Sequence, residues 1–178
     1  MDAVVEVDDA IVLLLGAPSD SSAQSDRIEG ITRLEKMLFL LERESDVSGL
    51  LTEDAEFRPD NFGPFSVKVY HQVDVLAAAG LVTDSSALSN STEDTWESNV
   101  VLGLDPDPYA TRDITLTPLG KRYYQRLLQD LPEGTEEELS DLKDRFGGLP
   151  LRQLVRYVYK RYPEFTGKSI IRESVLGE

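Results

Sequence analysis

One histidine, His71, and no cysteine make up the whole imidazole and thiol inventory of this 178-residue chain. The lack of Cys removes disulfides, thiol nucleophiles, Cys-ligated zinc and iron–sulfur clusters together, and a lone His removes poly-His metal sites. Ser66 stands five residues before His71 on the same expected helix, which is poor i, i+4 geometry for a Ser–His pair, and no third group orients the imidazole. Asp105 and Asp107 fall in a Pro-rich turn that lacks the other ligands and the Gly of a calcium loop. There is no P-loop and no dinucleotide Gly fingerprint. The run Glu136-Glu137-Glu138 suits the start of a helix, where the dipole favours acids. These residue types lead away from catalysis and call for no metal or cofactor.

Charge is the more informative chemistry. The chain holds 33 acidic and 18 basic residues, a net charge of −15 and a pI near 4.4, yet 40% of it is hydrophobic. That apolar content predicts a folded acidic protein rather than a disordered one. With six Lys, twelve Arg, seventeen Asp and sixteen Glu, its surface resembles those of proteins from salt-accumulating organisms, where carboxylates keep the chain soluble and salt screens their repulsion. The charge is uneven. Residues 84–113 sum to −6 and residues 130–145 to −5, whereas residues 150–172 sum to +5.

In that last segment Arg152, Arg156 and Lys160 recur at i, i+4 and i+8 and share a helical stripe, with Leu151, Leu154, Val155, Val158 and Tyr162 expected inward and Tyr157 on the flank. Lys121, Arg122 and Arg126 form a second basic cluster. Two readings stand. In one the cations pair with the acidic helix over residues 136–144 and stabilise the monomer. In the other they form a docking face for an acidic partner, a phosphate backbone or a second copy of the chain.

The elements that must position these groups follow from periodicity and punctuation. A helix is expected over residues 3–15, stopped by Gly16 and Pro18. The next has Ile31, Leu34, Met37, Leu38 and Leu41 on one face, with Arg33, Glu35, Lys36, Glu42 and Arg43 largely off it, and should be central to the core. Residues 45–65 lose the pattern, apart from a short element at Gly49-Leu50-Leu51. Asn61-Phe62-Gly63-Pro64-Phe65-Ser66 then forms a sharp turn, with Ser66 placed to cap a helix over residues 67–79. Leu81-Val82-Thr83 reads as a strand, and residues 96–104 and 109–116 as two more, joined by a Pro-rich turn. Thr117 and Pro118 open a helix to about Gln129. Thr135 and Glu138 suggest a capping box for a helix to Phe146, and Pro150 starts a last helix to Arg161. The tail carries Ile170-Ile171.

Helix 67–79 feeding a strand at Gly80, and a second strand passing into a helix through Leu116-Thr117-Pro118-Leu119-Gly120, resemble the third helix and wing of winged-helix regulators. Together with Lys36-Met37-Leu38-Phe39-Leu40-Leu41 and the turn Phe62, Gly63, Pro64, Phe65, Ser66, the chain is similar over residues 28–128 to YwgA-like proteins and their relatives in the SocA-type antitoxin ("Panacea") superfamily. Phe62 stands where Tyr is usual. The resemblance implies a small prokaryotic or phage regulatory protein whose core is an interaction scaffold, and it carries no catalytic residue.

The expectation is thus one domain over residues 1–178, α+β and mainly helical. It comprises a winged-helix core over about residues 28–129 with a small β wing, and additional helices before and after it, the C-terminal extension covering about residues 130–178. Its function is expected to be non-enzymatic regulation through protein contacts, with Arg152, Arg156, Lys160 and Tyr157 meeting another protein such as a toxin or effector, or a second copy in a homodimer. The alternative is a DNA-binding regulator using Lys68, His71, Gln72, Lys121, Arg122 and Arg126. Against it, the third helix offers Lys68 as its one cation, the wing is acidic, and affinity for DNA rests on neutralised phosphates. About twenty residues between Glu44 and Ser66 also exceed the short turn of a helix-turn-helix. The acidic start and an early apolar run of only six residues favour neither a signal peptide nor a membrane span, so a cytoplasmic location is expected.

Overall fold

The computed structural model of the chain describes residues 5–20, 25–60, 63–84 and 113–165. It is an α+β structure, mainly helical, with two small antiparallel sheets. Helix α1 spans Val7–Gly16, strand β1 Arg27–Glu29 and helix α2 Ile31–Glu44. A 3-10 turn, Asp46–Leu50, leads to the hairpin β2 (Arg58–Asp60) and β3 (Gly63–Phe65) and then to α3 (Val67–Ala78). Strands β4 (Val82–Asp84) and β5 (Asp113–Leu116) precede α4 (Pro118–Gln129), α5 (Thr135–Phe146), α6 (Leu151–Arg161) and a 3-10 turn at Pro163–Phe165. Among the described residues no helix is long and apolar enough to cross a membrane.

Two helices make the centre. In α1 every residue from 10 to 15 is buried, and α1 lies against α3, α4, β5, α2 and α5. In α2 residues 31–41 are buried without a break, and the helix packs on α6, α5, β1 and the hairpin. This corrects the expected polar face of α2. Leu34, Met37, Leu38, Phe39, Leu40 and Leu41 surround the axis, so neighbours close over every side and take Arg33, Glu35 and Lys36 inside with them. Phe39 anchors the far end, with the rings of Phe57, Tyr162 and Phe165 edge-on at 5.2, 5.0 and 5.0 Å.

The main sheet has the order β1-β5-β4, all antiparallel. Ile28 pairs with Ile114, and Val82 with Leu116, which puts all four apolar side chains into the core. Neither β1 nor the β2–β3 hairpin is visible in the sequence pattern, because strands of three residues are too short to show alternation. The expected strand over residues 96–104, the early part of the strand over 109–116, Phe62 and the Ile170-Ile171 tail lie outside the described residues.

The helix starts are set locally. Ser66 Oγ accepts from Val69 N at 3.2 Å, and Thr117 Oγ1 accepts from Gly120 N at 3.0 Å with Pro118 in the first turn, both as expected. The capping box of α5 does not form. Gly134, at φ 90°, takes the cap position, Thr135 Oγ1 donates to Pro132 O, and Glu138 is drawn away to the 3-10 turn, where it accepts from Ser45 Oγ and Asp46 N.

The start of α4 lies hard against the chain leaving α3. Thr117 Oγ1 donates to Gly80 O at 2.6 Å, and a Cβ on Gly120 would stand 2.0 Å from the Leu81 carbonyl oxygen. Backbone cannot yield as a side chain does. Gly120→Ala is therefore expected to destabilise the fold by about 3 kcal/mol or more, read as a lower urea midpoint at unchanged slope. A midpoint shift worth less than about 0.5 kcal/mol would mean that α4 does not approach Leu81 this closely.

Candidate functional site

Helix α6 turns Leu151, Leu154, Val155, Val158 and Tyr159 inward, and Arg152, Arg156 and Lys160 outward in one exposed row. Tyr159, rather than Tyr162, completes the buried face. One carboxylate at the end of α2, itself largely enclosed, gathers the neighbouring polar groups. Glu44 accepts from the Tyr157 and Tyr162 hydroxyls, each at 2.7 Å, and pairs with Arg161 at 3.1 Å and with Arg145 at 4.0 Å. Burial first, and then the Glu44 carboxylate, pushes the Tyr162 hydroxyl up to about 12 and raises Tyr157 as well. Tyr157 also packs its half-buried ring on Phe146 at 5.1 Å. It works as an internal strut whose outer edge borders the basic row.

Three carboxylates of α5 bond to other groups. Glu136 accepts from the Tyr124 hydroxyl at 2.6 Å, Glu138 holds the 3-10 turn, and Asp144 accepts from Ser19 Oγ and Asp20 N at 2.9 and 3.0 Å. Among the described residues neither Arg156 nor Lys160 forms an ion pair.

The nucleic-acid candidates are scattered. Lys68 donates to Glu53 Oε2 at 2.6 Å, and that hydrogen bond raises the Lys68 pKa and lowers that of Glu53. The one cation of α3 is thereby offset in place. His71 is exposed and Gln72 half-buried on the same helix. Lys121 pairs with Asp26 at 3.2 Å, Arg126 donates to Gln129, and Arg122 is exposed. These last three belong to α4, not α3.

The Gly-Pro turn proves to be a fastening. Within the core Lys36 Nζ lies 3.1 Å from Glu35 Oε1 and donates to Pro64 O at 2.9 Å, while Glu35 Oε2 accepts from Ser66 N at 3.0 Å. Ser66 Oγ in turn donates to Ala55 O. A buried ion pair on α2 thus holds Pro64, Phe65 and Ser66, and with them the start of α3. The sequence signal was there: residues 37–41 are apolar in an unbroken run, which leaves no solvated face for Glu35 and Lys36 to occupy.

A second buried cation closes α1. Lys143 is fully enclosed, and its ammonium donates to Leu15 O at 2.5 Å and Ala17 O at 3.0 Å, satisfying carbonyls at the helix end. Desolvation lowers its pKa to about 8 against the pull of Asp26 and Asp144. Tyr123, half-buried on α4, donates to Asp9 at 2.5 Å. Burial raises both groups.

An open cleft of about 480 Å³ lies between the end of α2 and residues 48–57, lined by Glu42, Arg43, Glu53, Asp54, Glu56 and Phe57 among others. Its acids serve the loop. Glu42 accepts from Ala55 N at 2.7 Å, Glu53 from Val7 N at 3.1 Å, and Asp54 from Glu56 N at 2.6 Å. Among the described residues no cluster of His, Asp and Glu has the arrangement to hold a metal ion.

Fold and site together define a mainly helical α+β protein with charged groups locked inside it and one exposed basic helix face. No family model, curated protein or solved structure matches the chain.

Proposed function

We propose that this protein is a non-enzymatic, antitoxin-like regulatory protein that acts through protein contacts, with the α6 row Arg152, Arg156 and Lys160 docking an acidic surface of its partner. The observation that carries this reading is that Arg156 and Lys160 stay exposed and unpaired among the described residues, while nearby Arg145 and Arg161 are drawn onto Glu44. Cations pre-arrayed on a rigid helix give electrostatic steering and register to an oppositely charged partner.

The regulatory reading includes a winged-helix core, which we propose begins with α1 rather than near residue 28. That plan runs helix, strand, helix, helix, strand, strand, with the first strand beside the last. The order α1, β1, α2, α3, β4, β5 and the sheet order β1-β5-β4 follow it, with the β2–β3 hairpin inserted before α3. A reader of DNA would put cations on α3, and there Lys68 is already offset by Glu53. The acidic balance of the chain adds repulsion from phosphate.

The triple variant Arg152→Glu, Arg156→Glu, Lys160→Glu tests this in nuclease-treated extract of the native host, at the salt of that host. Expected is a discrete protein partner held by the wild type and weakened at least about tenfold by the variant, whose circular dichroism is unchanged. Equal retention by both removes α6 as the interface. Sequence-selective, salt-sensitive retardation of DNA by the wild type would replace the reading with that of a DNA-binding regulator.

A further inference from the structure

Helix α5 carries an acidic stripe that no described residue neutralises. Glu137 and Asp141 stand one turn apart, are exposed, and form no ion pair or side-chain hydrogen bond among the described residues. Arg156 and Lys160 on α6 share that spacing, that exposure and that lack of partners, with the opposite charge. In each pair the step along the helix is four residues, a rise of about 6 Å, so the two stripes match in spacing.

The stripes adjoin. One turn beyond Asp141, the Arg145 guanidinium lies 5.6 Å from the ring centre of Tyr157, and that of Arg161 lies 5.7 Å from the same ring. Tyr157 and Arg161 directly follow Arg156 and Lys160 in the chain. Both guanidiniums are drawn onto Glu44, so the seam between the stripes carries less charge than either. A surface with an acidic half and a basic half across a seam fits a copy of itself rotated by half a turn about that seam, because each acidic half then meets a basic half. This is the self-complementarity that an isologous contact requires.

We infer that a second copy of this chain covers this surface, with Glu137 and Asp141 of each protomer facing Arg156 and Lys160 of the other across a two-fold axis near Tyr157. An unrelated acidic surface would answer only the basic half, whereas a second copy answers both. The net charge of −15 makes copies repel at a distance. At about 0.15 M salt that field falls off over about 8 Å, while charges in contact keep their attraction. Exposed ion pairs contribute little each, which makes the dimer weak and reversible. The regulatory consequence rests on the proposed partner site: the dimer hides Arg156 and Lys160, so an acidic partner takes the row only from the monomer.

Reversing one stripe at a time tests this by analytical sedimentation. The wild type is expected to behave as a concentration-dependent monomer and dimer. Glu137→Lys with Asp141→Lys, and separately Arg156→Glu with Lys160→Glu, should each weaken self-association at least about tenfold with circular dichroism unchanged. An equal mixture of the two reversed chains should restore the dimer, since acid again faces base at both contacts. Both reversed chains remain strongly acidic, so net charge does not draw them together. The inference is overturned if the wild type is monomeric at every concentration, if either reversed chain dimerises like the wild type, or if the mixture behaves as its separate components. Capture from host extract keeps the two readings apart, because the α5-reversed chain should hold the partner at least as well as the wild type while the α6-reversed chain loses it. A monomeric wild type with capture that depends on α6 overturns the dimer alone, and a dimer whose capture ignores α6 overturns the partner site alone.

Discussion

Lys36→Met is expected to destabilise the protein by about 3–5 kcal/mol, a large share of the roughly 5–15 kcal/mol that holds a domain of this size folded. The substitution nearly preserves volume, so little of the loss comes from a cavity. It removes the ammonium that lies 3.1 Å from Glu35 and 2.9 Å from the Pro64 carbonyl, taking a charged partner from a buried carboxylate and a donor from an enclosed carbonyl. Both charges are at most 2% exposed, so water cannot substitute. The damage passes to Ser66, whose N–H Glu35 accepts and whose hydroxyl caps α3. Removing the second charge as well distinguishes charge from shape. Glu35→Gln combined with Lys36→Met is expected to be more stable than Lys36→Met alone by at least about 1 kcal/mol in urea titration. A double variant no better than the single one would show that the ion pair is not the source of the loss.

Lys143→Met should cost about 2–4 kcal/mol near neutral pH, because the carbonyls of Leu15 and Ala17 are enclosed and lose a shared charged donor. Its clearer signature is in alkali. Burial lowers the Lys143 pKa from 10.5 to about 8, so between those values the unfolded chain binds a proton that the folded chain does not. Stability therefore rises with pH across that window, by about 3 kcal/mol from this group. Tyr123, Tyr124, Tyr157 and Tyr162 act in the opposite sense above pH 10. Burial first, then hydrogen bonds to Asp9, Glu136 and Glu44, raises their folded values, so the unfolded chain releases protons that the folded chain keeps. The wild type is thus expected to gain stability from pH 8 to about pH 10 and lose it beyond. In Lys143→Met the rise should vanish and the fall remain. Denaturant midpoints at half-unit intervals of pH measure both limbs, and a rise that persists in the variant would assign it to another group.

Both sites lay in plain sight in the sequence and were legible only in part. Helix α2 was evident from Ile31, Leu34, Met37, Leu38 and Leu41, yet that same spacing argument placed Glu35 and Lys36 on an open face. Lys143 stood within a charged run, where a solvated role is the ordinary reading. The i, i+4, i+8 spacing of Arg152, Arg156 and Lys160 places them on one stripe, and the structure leaves all three exposed, since a helix with one strongly apolar face has little freedom in which side it shows. Tyr157 was read as a flank residue available to a partner, and its hydroxyl is held by Glu44 from a helix more than a hundred residues earlier.

By itself the sequence determined what acts over a few residues. The spans of α3 to α6, the caps at Ser66 and Thr117, the starts at Pro118 and Pro150, and the exclusion of thiol chemistry and of Cys- or poly-His-ligated metals all follow from local torsions, local hydrogen bonds and residue type. Tertiary structure alone decided which charges go inside, which three-residue segments become strands, and which apolar side chains stay out. The physical reason is common to all three. The acceptors for Lys36 and Lys143, the β5 partner of β1 at residues 27–29 and 113–115, and the exposure of Val67 and Val75 depend on surfaces that meet across 28 to 128 residues of chain, and no periodicity within one helix or strand encodes what will lie against it.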